Sequence, residues 1–122
     1  MRPRTRLAAL SLAGAVALVA AAPGAGGAAS KPQRKSVKVL DNYYSPAKLT
    51  VNRNSTVTWK WPEDAGDTHD VALEKGPRGV RKFASDGAAA SFSYKRKLTR
   101  PGTYSLVCTY HEEMTMTIKV RR

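Results

Sequence analysis

Four side chains with metal-binding chemistry lie in the second half of this chain of 122 residues. Cys108, His111 and Met114 follow one another with two residues between each, and His69 lies well upstream. Two imidazoles, one thiolate and a weakly held thioether are the ligand set of a mononuclear blue-copper site. The chain contains one Cys and two His, and this interpretation uses all three. We therefore predict a site for one copper ion with these four residues as ligands.

This mixed ligand set suits one-electron chemistry. Copper(I) prefers sulfur ligands and copper(II) accepts imidazole, so a set that contains both serves either oxidation state moderately well. A rigid scaffold that holds one geometry for both states lowers the barrier to electron transfer. A metal bond also keeps the sulfur of Cys108 as a thiolate. We predict an electron shuttle that cycles between copper(I) and copper(II).

Other functions use similar residues. Copper delivery to another protein relies on the same soft ligands, and a scaffold without metal would act as an interaction module. Zinc fits less well because structural zinc sites usually take more thiolates and no thioether. We expect no enzymatic activity, because a copper enzyme such as a nitrite reductase needs further His ligands. The sequence also has no nucleophile motif.

The segments that must position these ligands have the pattern of short β-strands. They are rich in β-branched and aromatic residues, alternate between apolar and polar side chains, and are separated by turn residues. No segment has the pattern of an amphipathic helix, so we predict an all-β antiparallel sandwich or barrel of about seven to eight strands. The strongest candidate strands are residues 37–39, 48–51, 56–61, 69–73, 92–98, 103–108 and 116–120.

Two methionines compete for the fourth ligand position. Met116, Ile118 and Val120 alternate with polar residues and have the pattern of one core-facing row. We expect Met114 to lie outside this row, on the loop that follows Cys108. Met114 is therefore the predicted axial ligand, and Met116 is predicted to fill space in the core.

The N-terminal segment has the features of a secretory signal. Three arginines precede an apolar stretch at 7–22, and small residues follow it. We predict a signal peptide at 1–29, a flexible basic leader at 30–36 and the folded domain at 37–122. The protein would then be exported to the periplasm, the cell surface or the medium. The alternative is an uncleaved membrane anchor.

The charge balance is strongly basic. The chain has 21 Lys and Arg against 9 Asp and Glu, a net charge of +12. Removal of the three arginines in the predicted signal lowers this value by 3, to +9. An exported protein of this charge is expected near an anionic membrane or cell-wall surface. We expect no nucleic-acid partner, because no motif for reading bases is present, and we expect a monomer.

The order and spacing of these motifs resemble the cupredoxins, the small blue-copper proteins such as plastocyanin, pseudoazurin and amicyanin. The resemblance covers 37–120, and the short Cys-x2-His-x2-Met motif is most similar to the amicyanin type. It implies a Greek-key β-sandwich, a type 1 copper ion and electron transfer between redox proteins. It also implies that His69 is the buried imidazole ligand and His111 the ligand at the solvent edge. The matching segments are 44–46, 49–51, 57–59, 69–71 and 101–104, together with the ligand motif.

Two departures from the cupredoxin pattern bear on function. Asp70 stands where the family commonly has Asn, whose side chain braces the ligand loop through the residue corresponding to Thr109. The charge of Asp70 is expected to favour copper(II) and lower the reduction potential.

Glu112 and Glu113 follow His111 directly, where the family usually has an apolar docking patch. These acids predict a redox partner with a basic docking face.

Overall fold

The computed structural model describes residues 30–122, and the predicted signal peptide lies outside them. This part of the chain folds into eight strands without a helix. Across 30–122, accordingly, no helix is long and apolar enough to span a membrane. The strands are β1 (Arg34–Leu40), β2 (Tyr43–Ser45), β3 (Lys48–Asn52), β4 (Ser55–Lys60), β5 (Ala72–Lys75), β6 (Ser93–Leu98), β7 (Gly102–Cys108) and β8 (His111–Arg121).

The strands form two four-stranded sheets that pack as a sandwich. The strand order is β2-β1-β4-β6 in the first sheet and β3-β8-β7-β5 in the second. The all-β sandwich of about eight strands is therefore confirmed. Two pairs differ from the antiparallel prediction, because β1 pairs with β4 and β3 with β8 in parallel. Side chains alternate in the same way in both kinds of pairing, so the sequence pattern does not distinguish them.

The core lies between the two sheets and is built by side chains that alternate along each strand. Val37 and Trp59 enter it from the first sheet, and Leu106 and Ile118 enter it from the second, each at most 1% exposed. Burial of one such side chain contributes roughly 1.5–3 kcal/mol before the entropy of ordering is counted. Both layers and the core between them lie within residues 30–122, which therefore contain a complete two-layer domain.

β1 begins earlier than the alternation pattern predicts, at Arg34 instead of Val37. Its first residues pair with β4. Just before it, the side chain of Gln33 accepts a hydrogen bond from the backbone N–H of Asn52 at 3.0 Å. Most of the predicted leader at 30–36 is thus joined to the sheet. The pattern misses this part because strand pairing uses backbone groups, and charged side chains on the outer face carry no apolar signal.

Candidate metal centre

Three of the four predicted ligand residues converge at one end of the sandwich. Nδ1 of His69 lies 4.0 Å from Sγ of Cys108, and Nδ1 of His111 lies 3.7 Å from the same sulfur. With one ligand atom taken from each of the three residues, these atoms all lie within 4.8 Å of one another. His69 and Cys108 are buried, whereas the side chain of His111 is 24% exposed. One imidazole is therefore enclosed by the protein and the other reaches the surface.

His69 is held by the backbone, but it does not begin a strand as predicted, because β5 begins at Ala72. It forms an isolated bridge in which its N–H donates to the Ala88 carbonyl at 2.9 Å, and the Ala88 N–H donates back at 3.0 Å. The indole N–H of Trp61 also donates to the His69 carbonyl, at 3.3 Å. The bridge partner lies in an irregular segment, so no periodic pattern predicts this anchoring.

The far side of the His69 ring faces two oxygen acceptors. Its Nε2 lies 3.0 Å from the Ala65 carbonyl and 3.2 Å from a carboxylate oxygen of Asp41. Both neighbours only accept hydrogen bonds, so the proton belongs on Nε2, and the lone pair of Nδ1 is directed at Cys108. Asp41 is not predicted from sequence. It lies in the turn after β1, and only the fold brings it to His69.

His111 has a similar arrangement with a more exposed partner. Its Nε2 lies 3.6 Å from a carboxylate oxygen of Asp67, whose side chain is 76% exposed. The two imidazole rings are tilted by 48° with their centroids 4.8 Å apart. Both histidines therefore present Nδ1 to Cys108 and Nε2 to an acid. A carboxylate on the outer nitrogen orients a metal-binding His and makes it more basic.

A register shift between β7 and β8 shapes the ligand loop. Val107 pairs with Thr115 in the regular ladder, but the next pair is Cys108 with His111. Residues 112–114 are thereby left without ladder partners, and the shift introduces a bulge next to the site. The connecting loop between Cys108 and His111 is only two residues long. His111 therefore belongs to the start of β8, whereas the predicted strands at 103–108 and 116–120 leave it on a longer loop.

Met114 also lies on β8, and the prediction that it falls outside the core-facing row is wrong. It is fully buried and begins the inward row that continues through Met116, Ile118 and Val120. The two-residue alternation of the strand extends further toward its N-terminus than predicted. Continuing the regular register by one pair would place Met114 opposite Cys108. Met114 is thus the member of the row nearest to the site along the strand.

The donor atoms that converge here fit a copper ion. Two imidazole nitrogens and one thiol sulfur face one another at separations that a single ion could bridge, and a buried thioether lies on the adjoining strand. Mixed nitrogen and sulfur ligands of this kind are those of copper electron-transfer sites.

The sequence also matches the family of copper-binding proteins described as plastocyanin/azurin, over residues 34–121. The chain belongs to this family. A halocyanin of Natronomonas pharaonis is 32% identical over 74 residues, which are 60% of this chain and 44% of halocyanin. The match thus spans less than half of that relative. The predicted membership of the cupredoxins is confirmed.

Solved structures of cupredoxins have the same fold. A variant of amicyanin in its reduced Cu(I) form superposes with a TM-score of 0.63 at 26% identity, covering 72% of this chain and 82% of amicyanin. A copper-containing nitrite reductase from Thermus scotoductus SA-01 also gives a TM-score of 0.63, at 23% identity, covering 80% of this chain and 24% of the reductase. The likeness to the reductase concerns the fold alone.

The loop of this cupredoxin is braced by Asp70. One carboxylate oxygen accepts the Thr109 N–H at 2.7 Å, and the other accepts the Thr109 hydroxyl. The Tyr44 hydroxyl donates to the Asp70 carbonyl, so a second buried side chain fixes the same segment. Burial, and then the charges of Cys108 and Asp70, raise the pKa of Tyr44. The predicted contact between Asp70 and Thr109 is present, whereas the contribution of Tyr44 is not predicted from sequence.

Acidic residues surround this end of the molecule. Asp41 and Asp67 approach the two histidines, and Glu112 lines a surface depression together with Glu74 and Cys108. These acids contrast with the positive charge of residues 30–122, in which 18 Lys and Arg stand against nine acidic residues. The nine acidic residues are Asp41, Glu63, Asp64, Asp67, Asp70, Glu74, Asp86, Glu112 and Glu113.

Proposed function

We propose that this cupredoxin is an exported type 1 copper protein that passes single electrons between redox proteins. Its copper ligands are His69, Cys108, His111 and Met114. The observation that carries the proposal is the convergence of two Nδ1 atoms and one Sγ within 4.8 Å at one end of the sandwich. A bound copper ion would supply the one-electron couple.

The protein contributes a fixed arrangement of donor atoms. His69 is held through its backbone and its Nε2, and the brace from Asp70 holds the residue after Cys108. Because these contacts form between protein groups, the donors are arranged without help from the metal. Little movement is then needed when the oxidation state changes. The partly exposed ring of His111 provides the short route to a docked partner.

Burial of the ligands favours an electron carrier over a copper-delivery protein. A delivery protein must let ligands of its acceptor reach the metal, but His69 is 0% exposed and Cys108 is 1% exposed. Electron transfer needs only an approach to the edge of a ligand. An enzymatic role has no support either, because both imidazoles in the chain are used by this one site.

The acids around the site indicate the kind of partner. Asp67 and Glu112 are exposed beside His111, so the docking face of the redox partner is expected to be basic. The N-terminal sequence and the basic remainder of the domain support export toward an anionic surface. We propose that the protein acts as a monomer.

Optical titration of the purified protein with copper(II) tests this function. One equivalent should give an intense blue thiolate-to-copper band that a reductant bleaches reversibly. Cys108→Ser should abolish the band. A colourless or easily stripped product would contradict the proposal, and rapid transfer of copper to an apoprotein would favour delivery.

A matched pair of variants tests the methionine assignment. Met114→Leu should change the reduction potential and the spectrum because it would remove the thioether from the residues that would hold copper. Met116→Leu replaces the neighbouring buried methionine with a residue of similar volume and should change neither. Equal effects of the two substitutions would contradict the assignment of Met114.

A further inference from the structure

The outer side of the β2-β1-β4-β6 sheet displays a regular array of cations. Strand pairing arranges its outward side chains in three rows across β1, β4 and β6. We call this surface the cationic face. Five of its nine positions are Lys or Arg, four are Ser or Thr, and none is acidic. The rows are Arg34, Thr56 and Lys97; Ser36, Thr58 and Lys95; and Lys38, Lys60 and Ser93.

These cations are not neutralised by neighbouring acids. In residues 30–122 the contacts between opposite charges involve only the two histidines. Acids such as Asp41, Asp67 and Glu112 lie instead at the end of the sandwich that holds the candidate metal site. The five cations of the face are therefore available to an external anion.

A shallow depression lies within the cationic face. It has a volume of about 180 Å³ and is lined by Arg34, Thr56, Thr58 and Lys95. Two cations and two hydroxyl groups around one depression can donate several hydrogen bonds to a phosphate group. Hydroxyls and charged donors beside each other match the chemistry of a phospholipid headgroup.

An exposed aromatic residue borders the same face. Tyr43 on β2 alternates with the buried Tyr44, so it points outward, and it is 55% exposed. Its strand partner is Leu40, which is half-buried on the same side of β1. Tyrosine is favoured at the boundary between lipid and water because its ring is apolar and its hydroxyl is polar.

We propose that the cationic face binds an anionic phospholipid bilayer. The cations are spread in two dimensions over three strands, which fits a planar array of headgroups better than a single polymer chain. Tyr43 adds a contact that a polyanionic polymer would not require. With the sheet lying against the bilayer, the acidic end of the sandwich points along the membrane plane. His111 then remains accessible to a redox partner.

Vesicle binding by residues 30–122 tests this proposal. We expect binding to mixed phosphatidylcholine and phosphatidylglycerol vesicles, and this binding should weaken as salt is raised. Vesicles of phosphatidylcholine alone should not bind the protein. Each cation near an anionic bilayer strengthens binding about fivefold. Lys95→Gln with Lys97→Gln should therefore weaken binding about 25-fold.

The opposite sheet provides a matched control. Lys48→Gln with Lys119→Gln removes the same charge, but these residues lie on the outer side of the β3-β8-β7-β5 sheet. Packed sheets are about 10 Å apart, so cations on the far side are a Debye length or more from the bilayer. This variant should bind almost as well as the unchanged protein.

The possible outcomes separate the alternatives. Equal weakening by the two double variants would overturn the proposal, because it would show an effect of net charge alone. Binding to soluble polyphosphate without binding to vesicles would also overturn it and assign the face to a polymer. Arg34→Gln with Lys38→Gln repeats the test on β1. Cys108→Ser should bind vesicles normally, so failure of the copper proposal would leave this one intact.

Discussion

Replacement of Asp41 by Asn should raise the reduction potential of the copper site. The Asp41 carboxylate lies 3.2 Å from Nε2 of His69. It can reach this position because Gly66 has no side chain, and a Cβ there would collide with the carboxylate. Gly66 also has a φ of +79°, a conformation that glycine adopts without strain. The negative charge stabilises the more positive oxidation state, copper(II).

The size of the effect follows from the geometry. The Asp41 carboxylate lies roughly 7 Å from the centre of the three ligand atoms. This distance adds the contact with Nε2 of His69, the width of the imidazole ring and half the separation between Nδ1 and Sγ. Two unit charges at that distance interact by about 2.4 kcal/mol at an effective dielectric constant of about 20. Asp41 is 55% exposed, so solvent screening reduces this to about 1 kcal/mol. For one electron, that value corresponds to a rise of about 40 mV.

The assay is a spectroelectrochemical titration of the copper-loaded protein and its Asp41→Asn variant. Glu63→Gln is the control, because Glu63 is an exposed acid in the loop that leads to His69, whereas the hydrogen-bond partners of His69 Nε2 are Asp41 and Ala65. The control should shift the potential by a small fraction of the Asp41 effect. An equal shift of the reduction potential in both variants would refute a specific action of Asp41 through His69. An unchanged potential in both variants would refute any influence of the Asp41 charge on the copper ion.

Two further substitutions test the brace of the ligand loop. Asp70→Asn should raise the potential more than Asp41→Asn does, because Asp70 is 6% exposed and its charge is less screened; a smaller rise would count against this reasoning. Tyr44→Phe should lower the free energy of unfolding by about 1–3 kcal/mol near neutral pH, since the Asp70 carbonyl loses its donor. Burial raises the pKa of Tyr44 above its unfolded value of about 10. The unchanged protein should therefore lose stability above about pH 10. In urea titrations, the difference in free energy of unfolding between it and Tyr44→Phe should become smaller above that pH. A difference that stays constant with pH would contradict this assignment.

The sequence is sufficient to predict the fold class because local alternation marks which side chains are buried. Val37 and Trp59, for example, follow the two-residue period of a strand with one buried face. The period does not specify the neighbour of each strand, so it does not predict the parallel pairing of β1 with β4. The grouping of His69 with Cys108 is predicted from their chemistry, not from any structural pattern.

The contacts that orient His69 are beyond the reach of sequence patterns because they depend on a turn and an irregular segment. Asp41 approaches His69 across 28 residues of sequence, and Ala88 bridges to His69 from a segment without periodicity. Neither contact has a local signature. Met114 is a different case, because its position in the row with Met116 does follow from two-residue spacing. The prediction fails there by placing the start of the strand too late.

The two histidines are fixed to different degrees, and this difference bears on electron transfer. His69 has two backbone hydrogen bonds to Ala88 and two acceptors at Nε2, all within buried or partly buried surroundings. His111 lies at the start of β8 beside a bulge, and the acid facing its ring, Asp67, is 3.6 Å away and largely exposed. Any adjustment of the ligand set should therefore occur at His111. The ring of His111 is also the one that reaches the surface, so docking of a partner can influence the least constrained part of the site. His69 and the braced Cys108 segment keep the rest of the geometry unchanged.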